Sequence, residues 1–229
     1  MENERLIELV EQLATVLSNA RNPIRAPQAE AYMKNHFSFF GMETSIRRSV
    51  QKAWLEEVKQ ISDRAERWEL VRILWEKEER EFQYVAIDWM NSWPKKTLHP
   101  QDADEFKWII SQKSWWDSVD SIASNVLGKW AKIYPETARE TFEEWRYESS
   151  FWLQRSCLIY QLKYAKTVDT AYLEDLIQQL LPNKEFFIQK AIGWSLRQLS
   201  KFEPETVKEI LARHPLKGVA LREASKYLN

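Results

Sequence analysis

Four segments of the chain align with one another at a constant step of 35 residues, and this self-similarity narrows the possible folds more than any other feature. Positions 86, 121, 156 and 191 are Ala, Ser, Ser and Ala, while positions 87, 122, 157 and 192 are Ile, Ile, Cys and Ile. A column of small residues beside a column of aliphatic or thiol side chains is what close helix–helix packing needs. A period near 35 residues accommodates two helices and their turns. The segments are therefore expected to stack as an α-solenoid, with equivalent helices lining one continuous concave groove.

Local patterning agrees with an all-α chain. Phe82, Val85, Ala86 and Trp89 fall at i, i+3, i+4 and i+7, and Trp115, Val119, Ile122 and Val126 at i, i+4, i+7 and i+11. Each set places an apolar stripe on one helix face. Strand-like alternation is scarce, and no Asn-Gly or Asp-Gly hairpin signal occurs. The 4 glycines and 8 prolines are sparse punctuation. Breaks are expected at Asn22–Pro27, Trp93–Pro100, Tyr134–Pro135, Pro182–Asn183 and His214–Gly218. Nothing low in complexity divides the chain, so residues 1–229 are expected to form a single all-helical domain.

The first residues carry acids at positions 2 and 4 and no apolar block, unlike a signal peptide. No run approaches 18 apolar residues, so no membrane span is expected. The one cysteine, Cys157, cannot form an internal disulfide. A cytoplasmic protein is the expectation from these features.

The net charge of −1 by itself argues against a nucleic-acid partner. Its distribution is uneven, however: residues 184–229 hold nine Lys/Arg against five Asp/Glu. Such a gradient suits a one-sided basic surface, and a solvated helical face would look similar.

The 35-residue register also brings charges together. Positions 85, 120, 155 and 190 are Val, Asp, Arg and Lys, so Asp120, Arg155 and Lys190 are expected to point the same way. Periodicity leaves open whether they face a groove or form an ion-pair ladder on a wet surface. Trp116 and Asp120, at i and i+4, share a helix face. Trp116 stands about 100° from its neighbour Trp115, so both cannot easily enter one core. Trp194 follows Gly193 and precedes Arg197 by three; either core packing or a groove-lining position fits it. The glycine admits a close neighbour, a helix or a ligand.

Several chemistries are excluded by what is missing. There is no HExxH, CxxC or Cys/His ligand spacing, so no metal is expected. No phosphate-cradling glycine loop and no GxSxG elbow occurs. A carboxylate, an arginine and indoles remain. That set suits cleavage of a glycosidic bond to a leaving group that is already good. An N3- or N7-alkylated purine is cationic and departs readily. The enzyme must then stabilise an oxocarbenium-like sugar and place a water. Asp120 could do both, the faces of Trp116 and Trp194 could hold the cationic sugar and backbone, and Arg155 could hold a phosphate.

At these residues the chain resembles the AlkD family of bacterial DNA alkylation-repair glycosylases. The matching stretches are AYMKNHF at 31–37, KSWWDSVDSI at 113–122, WLQR at 152–155, LKY at 162–164, and KEFFIQKAIGW at 184–194 with Leu196 and Arg197. They run in family order from about residue 20 to 226. The resemblance implies an array of HEAT-like repeats and release of N3- or N7-alkylated purines from double-stranded DNA, with no cofactor or metal; a repeat array of this size needs no partner to bury its core, so a monomer is expected. It implies a catalytic carboxylate at Asp120, cleft tryptophans at Trp116 and Trp194, and a cleft arginine at Arg155. Tyr32 matches an aromatic near the lesion, and Thr44, Arg48, Lys163 and Arg197 match backbone contacts. Lys190, from the charged column, joins this DNA-binding set. A non-catalytic DNA-binding paralogue and a protein-binding helical scaffold are the competing expectations.

Overall fold

A computed structural model describes residues 2–228, with side chains from residue 4 onward. The chain divides into two compact units, Met1–Thr97 and Leu98–Asn229. The described residues are helical throughout both units; the nearest approach to a strand is an isolated bridge between Ser38 and Glu79. No described helix is long and apolar enough to cross a membrane.

The first unit comprises Glu2–Asn19 (α1), Ala26–Tyr32 (α2), Thr44–Val50 (α3), Lys52–Val58 (α4), Arg64–Glu76 (α5) and Arg80–Ser92 (α6). α5 packs on α1 and α6. It starts where the Asp63 carboxylate accepts the Glu66 amide at 2.9 Å, supplying one of the bonds a first helical turn lacks. The core is built on tryptophans. Trp54, Trp68, Trp89 and Trp93 meet edge to face at centroid distances of 5.1–6.2 Å, each such pair contributing about 0.5–1.5 kcal/mol beyond its buried area. The loop before α3 is held from α6. Buried Glu81 accepts the Phe40 and Gly41 amides at 3.1 and 2.9 Å, and burial pushes its carboxyl above the ordinary value despite those amides.

The second unit comprises Asp102–Ser111 (α7), Trp116–Ile122 (α8), Gly128–Ile133 (α9), Pro135–Trp145 (α10), Phe151–Ile159 (α11), Thr170–Leu180 (α12), Phe186–Leu199 (α13), Pro204–Arg213 (α14) and Gly218–Ala224 (α15). Pro135 and Pro204 stand in the first turn of α10 and α14, where no amide donor is needed. α8 runs into α9 through a π-helical turn at Ala123–Leu127.

The 35-residue register is visible in this unit. α11 packs against α8 and against α13, and α13 against α15. Ile122, Cys157 and Ile192, one repeat apart, are all fully buried, as are Ser156 and Ala191 in the small-residue column. Burial also pushes the Cys157 thiol well above its usual value, leaving it inert. Gly193 settles which neighbour it admits. A Cβ there would lie 2.6 Å from the Ala220 carbonyl oxygen and 2.7 Å from the Glu223 Cβ, so the missing side chain is what lets α15 lie against α13.

One expected stripe is shorter than its spacing suggests. Val119, Ile122 and Val126 are buried, but Trp115 is the extended residue before α8. It is half-buried, with its ring against Trp152 and Phe187 at 5.8 and 5.4 Å.

Candidate active site and nucleic-acid interface

Eight of the twelve tryptophans are buried, and the four that are not — Trp108, Trp115, Trp116 and Trp194 — all belong to the second unit. Two of these fall beside the charged column. Trp116 opens α8 one turn before Asp120, and Trp194 follows Lys190 by one turn on α13, so each indole shares a helix face with a charge.

α11 lies between those helices and carries Arg155. Its side chain is only 2% exposed, against 16% for Asp120. The two are joined in a bidentate pair: Arg155 Nε donates to Asp120 Oδ1 at 2.7 Å and Nη2 to Oδ2 at 2.8 Å. Arg155 Nη1 donates to the Phe187 carbonyl oxygen at the start of α13. The guanidinium is thus fixed from two helices, and it presents the carboxylate in a single orientation. Arg155 is buried, and its Nε, Nη1 and Nη2 each donate one hydrogen bond within the protein, two of the three to Asp120.

The charge on that carboxylate is delicately placed. Burial pushes the Asp120 carboxyl above the ordinary carboxylate value, and Asp117 adds to the rise; Arg155 and then Lys190 act in the opposite sense without cancelling it. Lys190 is exposed, its Nζ 5.8 Å from the centre of the Phe186 ring. Asp120 and Arg155, one repeat apart, thus form an ion pair, and Lys190, a further repeat along, acts on the carboxylate through its charge.

The other candidates occupy separate places. Lys163 follows α11, exposed, its Nζ donating to the Asn125 carboxamide oxygen in the π turn. Arg197 is half-buried and pairs with Glu223. Tyr32, Thr44 and Arg48 belong to the first unit. Tyr32 is 68% exposed at the end of α2, and Thr44 is exposed as the first residue of α3. Arg48 is exposed with Nη2 3.2 Å from Asp88, a carboxylate already held by buried Arg47 at 2.7 Å.

Sequence reasoning missed Phe187, Asp117 and Asn125. Phe187 acts through a backbone carbonyl, which leaves no signal in residue type. Asp117 lies three residues before Asp120, and that spacing alone could have drawn attention to it. Asn125 depends on the π turn, which changes the helix phase and is invisible to 3.6-residue counting.

The chain matches the DNA alkylation repair enzyme family over residues 13–228. It belongs to that family, and so to the enzymes of DNA alkylation repair, with DNA as their partner. Among solved structures, a predicted DNA alkylation repair enzyme from Enterococcus faecalis is similar with a TM-score of 0.84 and 35% identity, over 91% of this chain and 96% of that one. No curated protein matches.

Proposed function

We propose that the protein is a DNA N-glycosylase that hydrolyses the bond between deoxyribose and an N3- or N7-alkylated purine in duplex DNA. The carrying observation is the Asp120 carboxylate, clamped by buried Arg155 yet left partly open on a face that also holds Trp116, Lys190 and Trp194.

An alkylated, cationic purine leaves without needing a proton from the enzyme. The cost lies in the positive charge that grows on the sugar as the bond breaks. A fixed carboxylate stabilises that charge without reorganising, because Arg155 has already oriented it. Each Asp120 oxygen accepts one hydrogen bond from Arg155 and retains a second acceptor site. One of these can hold the attacking water as its proton is released. Trp116 and Trp194 offer π faces to the cationic sugar. Lys163, Lys190 and Arg197 in the second unit, and Tyr32, Thr44 and Arg48 in the first, are proposed contacts to the sugar–phosphate chain.

The test is release of 7-methylguanine from methylated duplex DNA, measured beside duplex binding. Base release that depends on Asp120 supports the reading. Binding without release from N3- or N7-alkylated substrates would leave a non-catalytic DNA-binding protein in its place. Affinity indifferent to salt would point to a protein partner instead.

A further inference from the structure

The π turn between α8 and α9 changes which residues share a face with Asp120. Lys132 is twelve residues further along. On an unbroken α-helix it would stand about 120° away, at about 100° per residue. The wider turn at Ala123–Leu127 takes in one extra residue and removes about 90–100° of that difference. Lys132 therefore returns to within about 30° of Asp120, about 18 Å further along the helix run. The turn is built in by side chains: Ser124 Oγ donates to the Asp120 carbonyl at 2.7 Å and Asn125 Nδ2 to the Ser121 carbonyl at 2.7 Å, back-bonds of the kind that deform helices.

The 35-residue step runs through both ends of this stretch. Asp120 meets Arg155 one repeat ahead, and Lys132 Nζ reaches Thr167 Oγ1, also one repeat ahead, at 3.4 Å. Between them the Lys163 ammonium rests on Asn125. Gly128 allows this closeness, since a Cβ there would lie 2.5 Å from the Tyr160 carbonyl oxygen. At its far end the face opens on a cleft of about 460 Å³ lined by Lys132, Tyr160, Tyr164 and Thr167 among others. The Lys132 ammonium sits 4.0 Å from the centre of the Tyr164 ring. Lys132, Lys163 and Lys166 are exposed. Among the described residues neither Lys132 nor Lys166 has a carboxylate partner, and Asp169, which also lines the cleft, is held by Arg139 at 2.5 Å.

We infer that Lys132 and Lys166, with Lys163, form a second phosphate-binding stretch that grips the duplex on one side of the lesion. This rests on the proposed function for its ligand, duplex DNA. At 3.4 Å of axis per nucleotide, 18 Å corresponds to about five base-pair steps. The stretch thus engages phosphates up to about five steps from the sugar that Asp120 faces. Ammonium groups neutralise phosphate as point charges, so the contact carries no sequence preference.

The experiment uses the full chain and unmodified duplexes, with anisotropy titrations at several salt concentrations. Lys132→Ala with Lys166→Ala should make the slope of log affinity against log salt shallower by about 1.8, since each phosphate contact contributes about 0.9. Lys132→Arg with Lys166→Arg should restore it. Shortening one duplex arm below about five base pairs should weaken wild-type binding and leave the double alanine variant unaffected. Single-turnover base release at saturating enzyme should not change. An unaltered slope, or equal sensitivity of both proteins to arm length, overturns the inference even if 7-methylguanine is released. The expected slopes with no base release would uphold it and sink the glycosylase reading alone.

Discussion

Replacing Asp120 with Asn probes the proposed chemistry most directly. Asparagine keeps one acceptor oxygen and the same shape, but its amide turns a donor toward a guanidinium that offers only donors. One of the bonds at 2.7 and 2.8 Å is lost, and Arg155, 2% exposed, keeps its charge without a counterion. Stripping one partner from a fully buried pair costs about 3–5 kcal/mol. Here the Phe187 carbonyl still accepts from Arg155 and Asp120 is partly open to water, so about 2–3 kcal/mol is the expected loss of stability. For a chain of this size that lowers Tm by about 4–12 °C, leaving a folded protein at 25 °C. The chemical loss is larger in its effect. Without a full negative charge beside the forming cation, the barrier should rise by about 3–4 kcal/mol, a slowing of 10²–10³-fold. The assay is single-turnover release of 7-methylguanine at saturating enzyme, with a melting curve of the same preparation. A folded Asp120→Asn variant releasing base within threefold of the wild-type rate would refute the mechanism.

Because the Asp120 carboxyl lies above the ordinary value and must be ionised to act, base release should fall with decreasing pH through a point higher than that of an ordinary carboxylate, about 3.9. Asp117→Asn should move this acid limb down and Lys190→Ala should move it up, as single-turnover rates across pH will show; a limb that stays put in both would separate the profile from Asp120. Trp116→Ala should weaken binding to alkylated duplex by about 1–3 kcal/mol if the indole packs on DNA, and anisotropy at fixed salt measures it. Gly193→Ala should cost about 1–3 kcal/mol by forcing α15 off α13, where the new Cβ meets backbone at 2.6 Å; an unchanged Tm would show that the two helices separate freely.

The helical class, the repeat step and five of the breaks between helices could be read from the chain, because they follow from local periodicity and from the turn chemistry of proline and glycine. The same register put Asp120, Arg155 and Lys190 in one column, and the bidentate pair follows from that stacking. Other matters depended on neighbours distant in sequence. Whether Arg155 reached outward or was closed in was decided by the Phe187 carbonyl, an atom every residue possesses. Whether Trp115 belonged to the core was decided by where α8 begins. Gly193 admitted a helix because α15 returns against it, and Lys132 came into phase with Asp120 only through a π turn. Sequence determines which side chains can share a face; the packed structure decides which of them water still reaches, since burial and pairing are properties of the whole surroundings and not of any one residue.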